Sequence, residues 1–292
     1  MKTISPLTAV LQTIIVTALA FSACKKQDDA SSGPAGREEF AAIASVADAR
    51  AEVVFDDVFN NVMGVSTEVG IGGTGIFGRI EGTDTTTCYT VITKQLNNNT
   101  RFPLNITIDF GSGCVGRDGR VRKGRINIVY TGHLFISGNS ATTVFEGYYL
   151  DDLKVEGTYT LTNAGTPDKK SYTSRVSNAR LSTSNGNYIQ WNSEKTVTQT
   201  EGGATLLLGL DDVYTLTGLA NGAAQINNKY FQWSTAVNTP LIKRFNCRWI
   251  SRGTLALKKG NDAVAVLDYG SGTCENKASF SVNGQVKEIT LH

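Results

Sequence analysis

Apolar and polar positions follow two different rhythms along this chain, and the change falls near residue 64. Before it, Phe40, Ile43, Ala47, Val54, Phe55, Val58, Phe59 and Val62 recur at steps of three and four. Glu38, Glu39, Asp48, Arg50, Glu52 and Asp57 stand between them. That period predicts one amphipathic helix over 37–64, with acidic residues at its start to suit the helix dipole. A stripe of this kind docks on the domain that follows or, in the sharper reading, binds a partner.

Over 65–292 the period shortens to two. Runs rich in Thr, Val, Ile, Tyr and Phe are separated by Gly, Asn, Asp and Ser clusters, the pattern of short strands. Strands are expected at 105–110, 125–130, 142–149, 154–163, 187–198, 213–218, 230–236, 253–258, 263–269 and 285–291. Asp118-Gly119, Asn185-Gly186, Asn221-Gly222 and Asn283-Gly284 read as hairpin turns. Closely spaced strands without intervening helices argue an antiparallel meander. The expected fold is all-β, an antiparallel sandwich or a long rolled sheet, carrying one N-terminal amphipathic helix.

A module recurs within that sheet. Cys88 precedes Asp109-Phe110-Gly111-Ser112-Gly113-Cys114 at the same distance at which Cys247 precedes Asp268-Tyr269-Gly270-Ser271-Gly272-Thr273-Cys274. Each Cys-x20-Asp-Phe/Tyr-Gly-Ser-Gly copy reads as a strand, a return strand and a tight turn that brings its two cysteines together. The pairs Cys88–Cys114 and Cys247–Cys274 follow, with cross-pairing between copies as the alternative. Shorter echoes, Tyr159-Thr160-Leu161-Thr162 with Tyr214-Thr215-Leu216-Thr217, and Tyr188-Ile189-Gln190-Trp191 with Tyr230-Phe231-Gln232-Trp233, sit at unequal offsets. They fit a decayed duplication rather than a fixed-period solenoid.

The first residues add an address. Lys2, the apolar run from Ala9 to Phe21 and the small pair Ser22-Ala23 have the three parts of a secretory signal. Thr8, Gln12, Thr13 and Thr17 interrupt a run too short for the about 20 apolar residues of a membrane span. Leu19-Ala20-Phe21-Ser22-Ala23-Cys24 resembles a bacterial lipobox, with Phe21 where Leu is usual. The resemblance implies a leader over 1–23 and acyl chains on Cys24, two or more of which hold firmly to a membrane. A flexible tether would cover 24–36. Lys25-Lys26-Gln27-Asp28-Asp29, the lipobox and the Asp-Phe-Gly-Ser-Gly-Cys and Asp-Gly-Arg strand pair together resemble the β-rich outer-membrane lipoproteins of Bacteroidetes. That resemblance implies an outer-membrane, surface-facing location and brings no activity with it.

Composition narrows the chemistry. Lys and Arg exceed Asp and Glu by a net charge of +2, so no bulk field attracts nucleic acid. His133 and His292 are the two histidines, and neither stands in a nucleophile or metal motif, so no catalytic residue, metal or cofactor is assigned. Gly70–Gly75 and Gly111–Gly116 match Gly-x-Gly-x-x-Gly but open no helix, against dinucleotide binding. Asp151-Asp152 and Asp211-Asp212 read as turn residues, although opposed carboxylates would suit a carbohydrate-active hydrolase. Strand parity sends Trp191 and Trp233 into the core and turns Tyr188, Gln190, Tyr230 and Gln232 outward as a candidate ligand face. Arg117, Arg120, Arg122, Lys123 and Arg125 form a candidate anion patch or a solvated hairpin. The expected role is non-catalytic binding or structural work at the outer membrane, with a polysaccharide or protein partner at the surface. A polysaccharide-binding protein and a carbohydrate-active hydrolase are the alternatives.

Overall fold

The computed structural model describes residues 33–65, 69, 88–116, 118–166, 168–203 and 211–291. The leader, Cys24, Lys25–Asp29, Gly70–Gly75, Arg117, Leu210 and His292 lie outside the described residues. Among the described residues one helix, α1 (Pro34–Gly64), precedes fourteen strands. These are β1 (Thr90–Gln95), β2 (Leu104–Asp109), β3 (Cys114–Val115), β4 (Val121–Tyr130), β5 (Ser140–Leu150), β6 (Leu153–Asn163) and β7 (Ser171–Ser182). Then follow β8 (Tyr188–Glu201), β9 (Val213–Ile226), β10 (Lys229–Arg244), β11 (Ile250–Lys259), β12 (Asp262–Ser271), β13 (Lys277–Val282) and β14 (Gln285–Thr290). Every strand pairs antiparallel with its neighbour in sequence, except that β2 passes over the short β3 to pair with β4. The result is one unclosed antiparallel meander, the rolled-sheet form of the expected fold.

The sheet rolls around α1. Arg37 donates to the Ala263 carbonyl of β12, and Lys287 of β14 pairs with Glu38. Farther along, Phe55 packs against Phe145 of β5, Tyr159 of β6 and Trp191 of β8. At the far end Tyr130 of β4 donates to the Val62 carbonyl at 2.8 Å. Each strand from β4 to β10 sends a large aromatic inward: Tyr130, Tyr148, Tyr159, Tyr172, Trp191, Tyr214 and Trp233 are all buried. Alanines at 41, 44, 47, 49 and 51 are buried on α1 and let the strands approach closely. Curvature comes from bulges. At the one between Lys123 and Arg125, Gly124 has φ +78° and a Cβ there would lie 2.0 Å from the Gly147 carbonyl oxygen.

Three expectations need correction. Helix α1 begins at Pro34 with no acidic residue in its first turn. Glu38 and Glu39 instead reach Lys287 and Lys229 on the sheet. Beyond them the polar side of the amphipathic helix is not solvated, since Asp48, Glu52, Asp56 and Asp57 are all buried. Asn221-Gly222 is no turn: it lies inside β9, where a Cβ on Gly222 would come 2.3 Å from the Trp233 ring. The β9–β10 turn is Asn227-Asn228, with φ values of 50° and 64°, the double positive φ of a type I′ hairpin.

The buried acids meet partners from the sheet. Asp48 accepts from the Trp191 and Trp233 indoles at 2.9 and 3.0 Å, and from Thr235. Glu52 pairs with Lys195, Asp56 with Lys243, and Asp57 with Arg122. Arg122 is shared with Asp118 at 2.6 Å. The two disulfides are Cys88–Cys114 and Cys247–Cys274, spanning 26 and 27 residues. Both repeats share one turn: Asp109 accepts from the Gly111 N–H and Asp268 from the Gly270 N–H, each at 2.8 Å. Phe110 and Tyr269 are buried beside them.

This core makes stability depend on pH. Burial pushes the Asp56 carboxyl up from 3.8 to about 6 against the pull of Lys243, and burial raises Asp48 too. Between pH 3.8 and about 6 the folded chain therefore keeps a proton on Asp56 that the unfolded chain has lost. Stability from this group is full below that window and falls as pH rises through it. Burial also pushes Asp57 up, but Arg122 and Arg120 together outweigh it and hold that carboxyl low. Its contribution is instead lost as pH falls below the usual carboxylate range. Urea denaturation across the window should show Asp56→Asn removing roughly 2 kcal/mol of the decline seen with rising pH. An unchanged decline in the variant contradicts the assignment.

Candidate functional site

Strand parity sets the outer face of β8 to β10. Ile189 and Trp191 are buried on β8 and Trp233 on β10, so Tyr188, Gln190, Tyr230 and Gln232 face outward. The register aligns them: Tyr188 lies opposite Gln225, which lies opposite Tyr230. Gln190, Ala223 and Gln232 form the next row. Tyr188 and Tyr230 thus stand two strand spacings apart, roughly 10 Å. Tyr230 is 61% exposed. The Arg180 guanidinium stacks on Tyr188, 3.7 Å from its ring centroid. The sequence expectation brought these four residues to one face, and so does the fold.

The basic cluster is dispersed instead. Alternation along β4 sends Arg122 into the core against Asp57, whereas Arg125 stays outside between Asp109 and Glu146. Lys123 lies over the Tyr149 ring at 4.2 Å. Arg120, 3% exposed, pairs with Asp151. The residues Arg120, Arg122, Lys123 and Arg125 therefore form neither a solvated hairpin nor one anion patch, because the pleat and the bulge divide them between opposite faces.

One member of that cluster belongs to a site whose other parts are distant in sequence. A cleft of about 390 Å³ is lined by Arg50 of α1, Arg120 of the β3–β4 turn, Leu150 to Leu153 at the β5–β6 turn, and Arg248 after β10. Rolling of the sheet brings the β5–β6 and β10–β11 connections together here. Arg50 bonds Asp152 at 2.8 Å. Asp151, held at φ 55° in the turn, accepts from the Val121 N–H with one oxygen. Its other oxygen takes Arg120 at 3.1 Å and faces Arg248 at 3.7 Å. The Arg248 Nε is buried with no hydrogen-bond partner among the described residues. Burial and the neighbouring Arg120 charge both work to lower the Arg248 pKa. Cys247, bonded to Cys274, fixes the loop that carries Arg248.

The remaining candidates are structural. The Asp151-Asp152 pair is the β5–β6 turn, as its sequence suggests. Asp212 differs from a turn residue: it is buried, its pKa raised by that burial, and it accepts from Tyr214 at 3.0 Å and Gln199 at 2.6 Å. His133 packs between the Phe102 and Phe135 rings. Gly111–Gly116 carries the turn into β3 and its disulfide, not a helix. Among the described residues no three His, Cys, Asp or Glu side chains gather as a metal site. The charged core between Glu52, Asp56, Lys195 and Lys243 encloses only about 20 Å³, the room of one water. No family model, curated protein or solved structure matches this chain.

Proposed function

We propose that this protein is exported and lipid-anchored, with a non-catalytic binding or structural role at the outer membrane, on the surface side. The carrying observation is the division of its cysteines. Two disulfides take four of the five, and the fifth, Cys24, ends the lipobox-like stretch. Paired disulfides suit an oxidising, extracytoplasmic compartment. Among the described residues no helix is long and apolar enough to cross a membrane, and anchoring through acyl chains on Cys24 requires none. Expression of the full chain in a Gram-negative host with a clickable palmitate analogue should label the protein, and Cys24→Ala should be unlabelled and leave the membrane fraction. Equal labelling of the variant, or an unlabelled parent, contradicts the anchor.

A polysaccharide partner is the second reading, favoured by the Tyr188–Gln225–Tyr230 row. Aromatic rings flanked by amide side chains on a flat face suit a sugar chain, and their spacing is on the scale of a disaccharide. Hydrolase chemistry has less behind it: Asp151 and Asp152 share one turn, and each already faces an arginine. In a panel of neutral polymeric glycans, one class should raise the melting temperature of the full chain, and Tyr230→Ala should abolish that rise without changing the unliganded melting point. A flat panel, or a rise that survives Tyr230→Ala, overturns this reading.

A further inference from the structure

The arginine cleft is built beyond the needs of the fold. Arg120 is almost wholly buried in its wall, and its Asp151 partner is fixed by the Val121 N–H. Those contacts anchor the β5–β6 turn. Arg248 is different. Its Nε is desolvated with no acceptor among the described residues, and its Nη2 stands 3.7 Å from Asp151, beyond hydrogen-bond reach. A buried donor left unmade is costly, and two guanidiniums facing one carboxylate oxygen leave positive charge uncompensated. Three arginines against two aspartates leave the lining with a positive excess.

Size and lining narrow what fits. The volume of about 390 Å³ falls in the range of small-molecule pockets and exceeds the needs of a bare inorganic anion. A guanidinium fork recognises a planar oxyanion in bidentate fashion. The carboxylates of Asp151 and Asp152 accept hydrogen bonds, and a fully deprotonated oxyanion cannot donate them. A ligand that carries one acidic group and several hydroxyls matches both halves of the wall. We propose that this cleft binds an acidic saccharide, its carboxylate held by Arg248 and Arg120 and its hydroxyls donating to Asp151 and Asp152. This inference rests on the reading of the chain as an exported binding protein, and it uses a surface separate from the tyrosine row.

Calorimetric titration of the full chain with glucuronate oligomers, glucose oligomers and inorganic phosphate tests it. Glucuronate should bind, more weakly as salt is raised, with phosphate weaker and glucose without effect at the same site. Arg248→Gln should weaken glucuronate by about tenfold or more, Arg248→Lys should restore only part of it, and Tyr230→Ala should leave it unchanged. Because Arg248 is one-third exposed and lies in a disulfide-held loop, the unliganded melting temperature of both Arg248 variants should stay near that of the parent. No glucuronate binding, phosphate binding as tight as glucuronate, or full affinity in Arg248→Gln overturns the proposal. None of these results touches the palmitate labelling, so failure here and failure of the anchor are separable.

Discussion

The acidic row on α1 is the constraint around which the rest is arranged. Asp48, Glu52 and Asp56 recur at four-residue steps and Asp57 lies beside them, all inside the roll of the sheet. Each demands a partner, because an unpaired buried carboxylate is expensive. The sheet supplies those partners from β8 and β10, which flank β9, and from β4, four strands from β8 in its order. Such pairs are weak evidence of net stability against an apolar core, but breaking one costs about 3–5 kcal/mol. Their clearer consequence is geometric. They fix the rotation and depth of α1, and the strands that carry the cations must curl to reach it.

That curl explains features at both ends of the molecule. A flat meander would keep the β5–β6 and β10–β11 connections several strand widths apart. Rolled about α1, it brings Asp151 and Arg248 together and forms the arginine cleft. The chain of contacts is continuous, since Asp57 binds Arg122 inside while Arg120 and Asp151 line the cleft beside it. The two cysteine modules secure the flanks, one at β1–β2 and the other at β11–β12. Each loop of 26 or 27 residues is worth roughly 3 kcal/mol in the chain-entropy view.

Much of this was legible in sequence, and the misses have physical causes. Periods of 3.6 and 2 located α1 and most strands, and the repeated cysteine spacing located both disulfides. Strand β7 escaped because its period breaks at a bulge near Asn178, which has φ 52°. Asn221-Gly222 imitates a turn, yet its glycine is there to leave room for the Trp233 ring. The acids on α1 looked like a water-facing side because periodicity cannot tell a solvated charge from a buried, paired one. The tyrosine row followed from parity alone. The arginine cleft could not, since Arg50, Arg120, Asp151 and Arg248 share no local pattern and meet only through the tertiary roll.

The claim that α1 is the core of the roll rather than an appended element is most directly tested by native-state hydrogen exchange. Amides of residues 40–64 should exchange only through global unfolding, with the same opening free energy and denaturant dependence as the central strands β6 to β9. Exchange of those helix amides at a lower opening free energy, while the strands stay protected, would show a sheet that holds together without its helix and would contradict it.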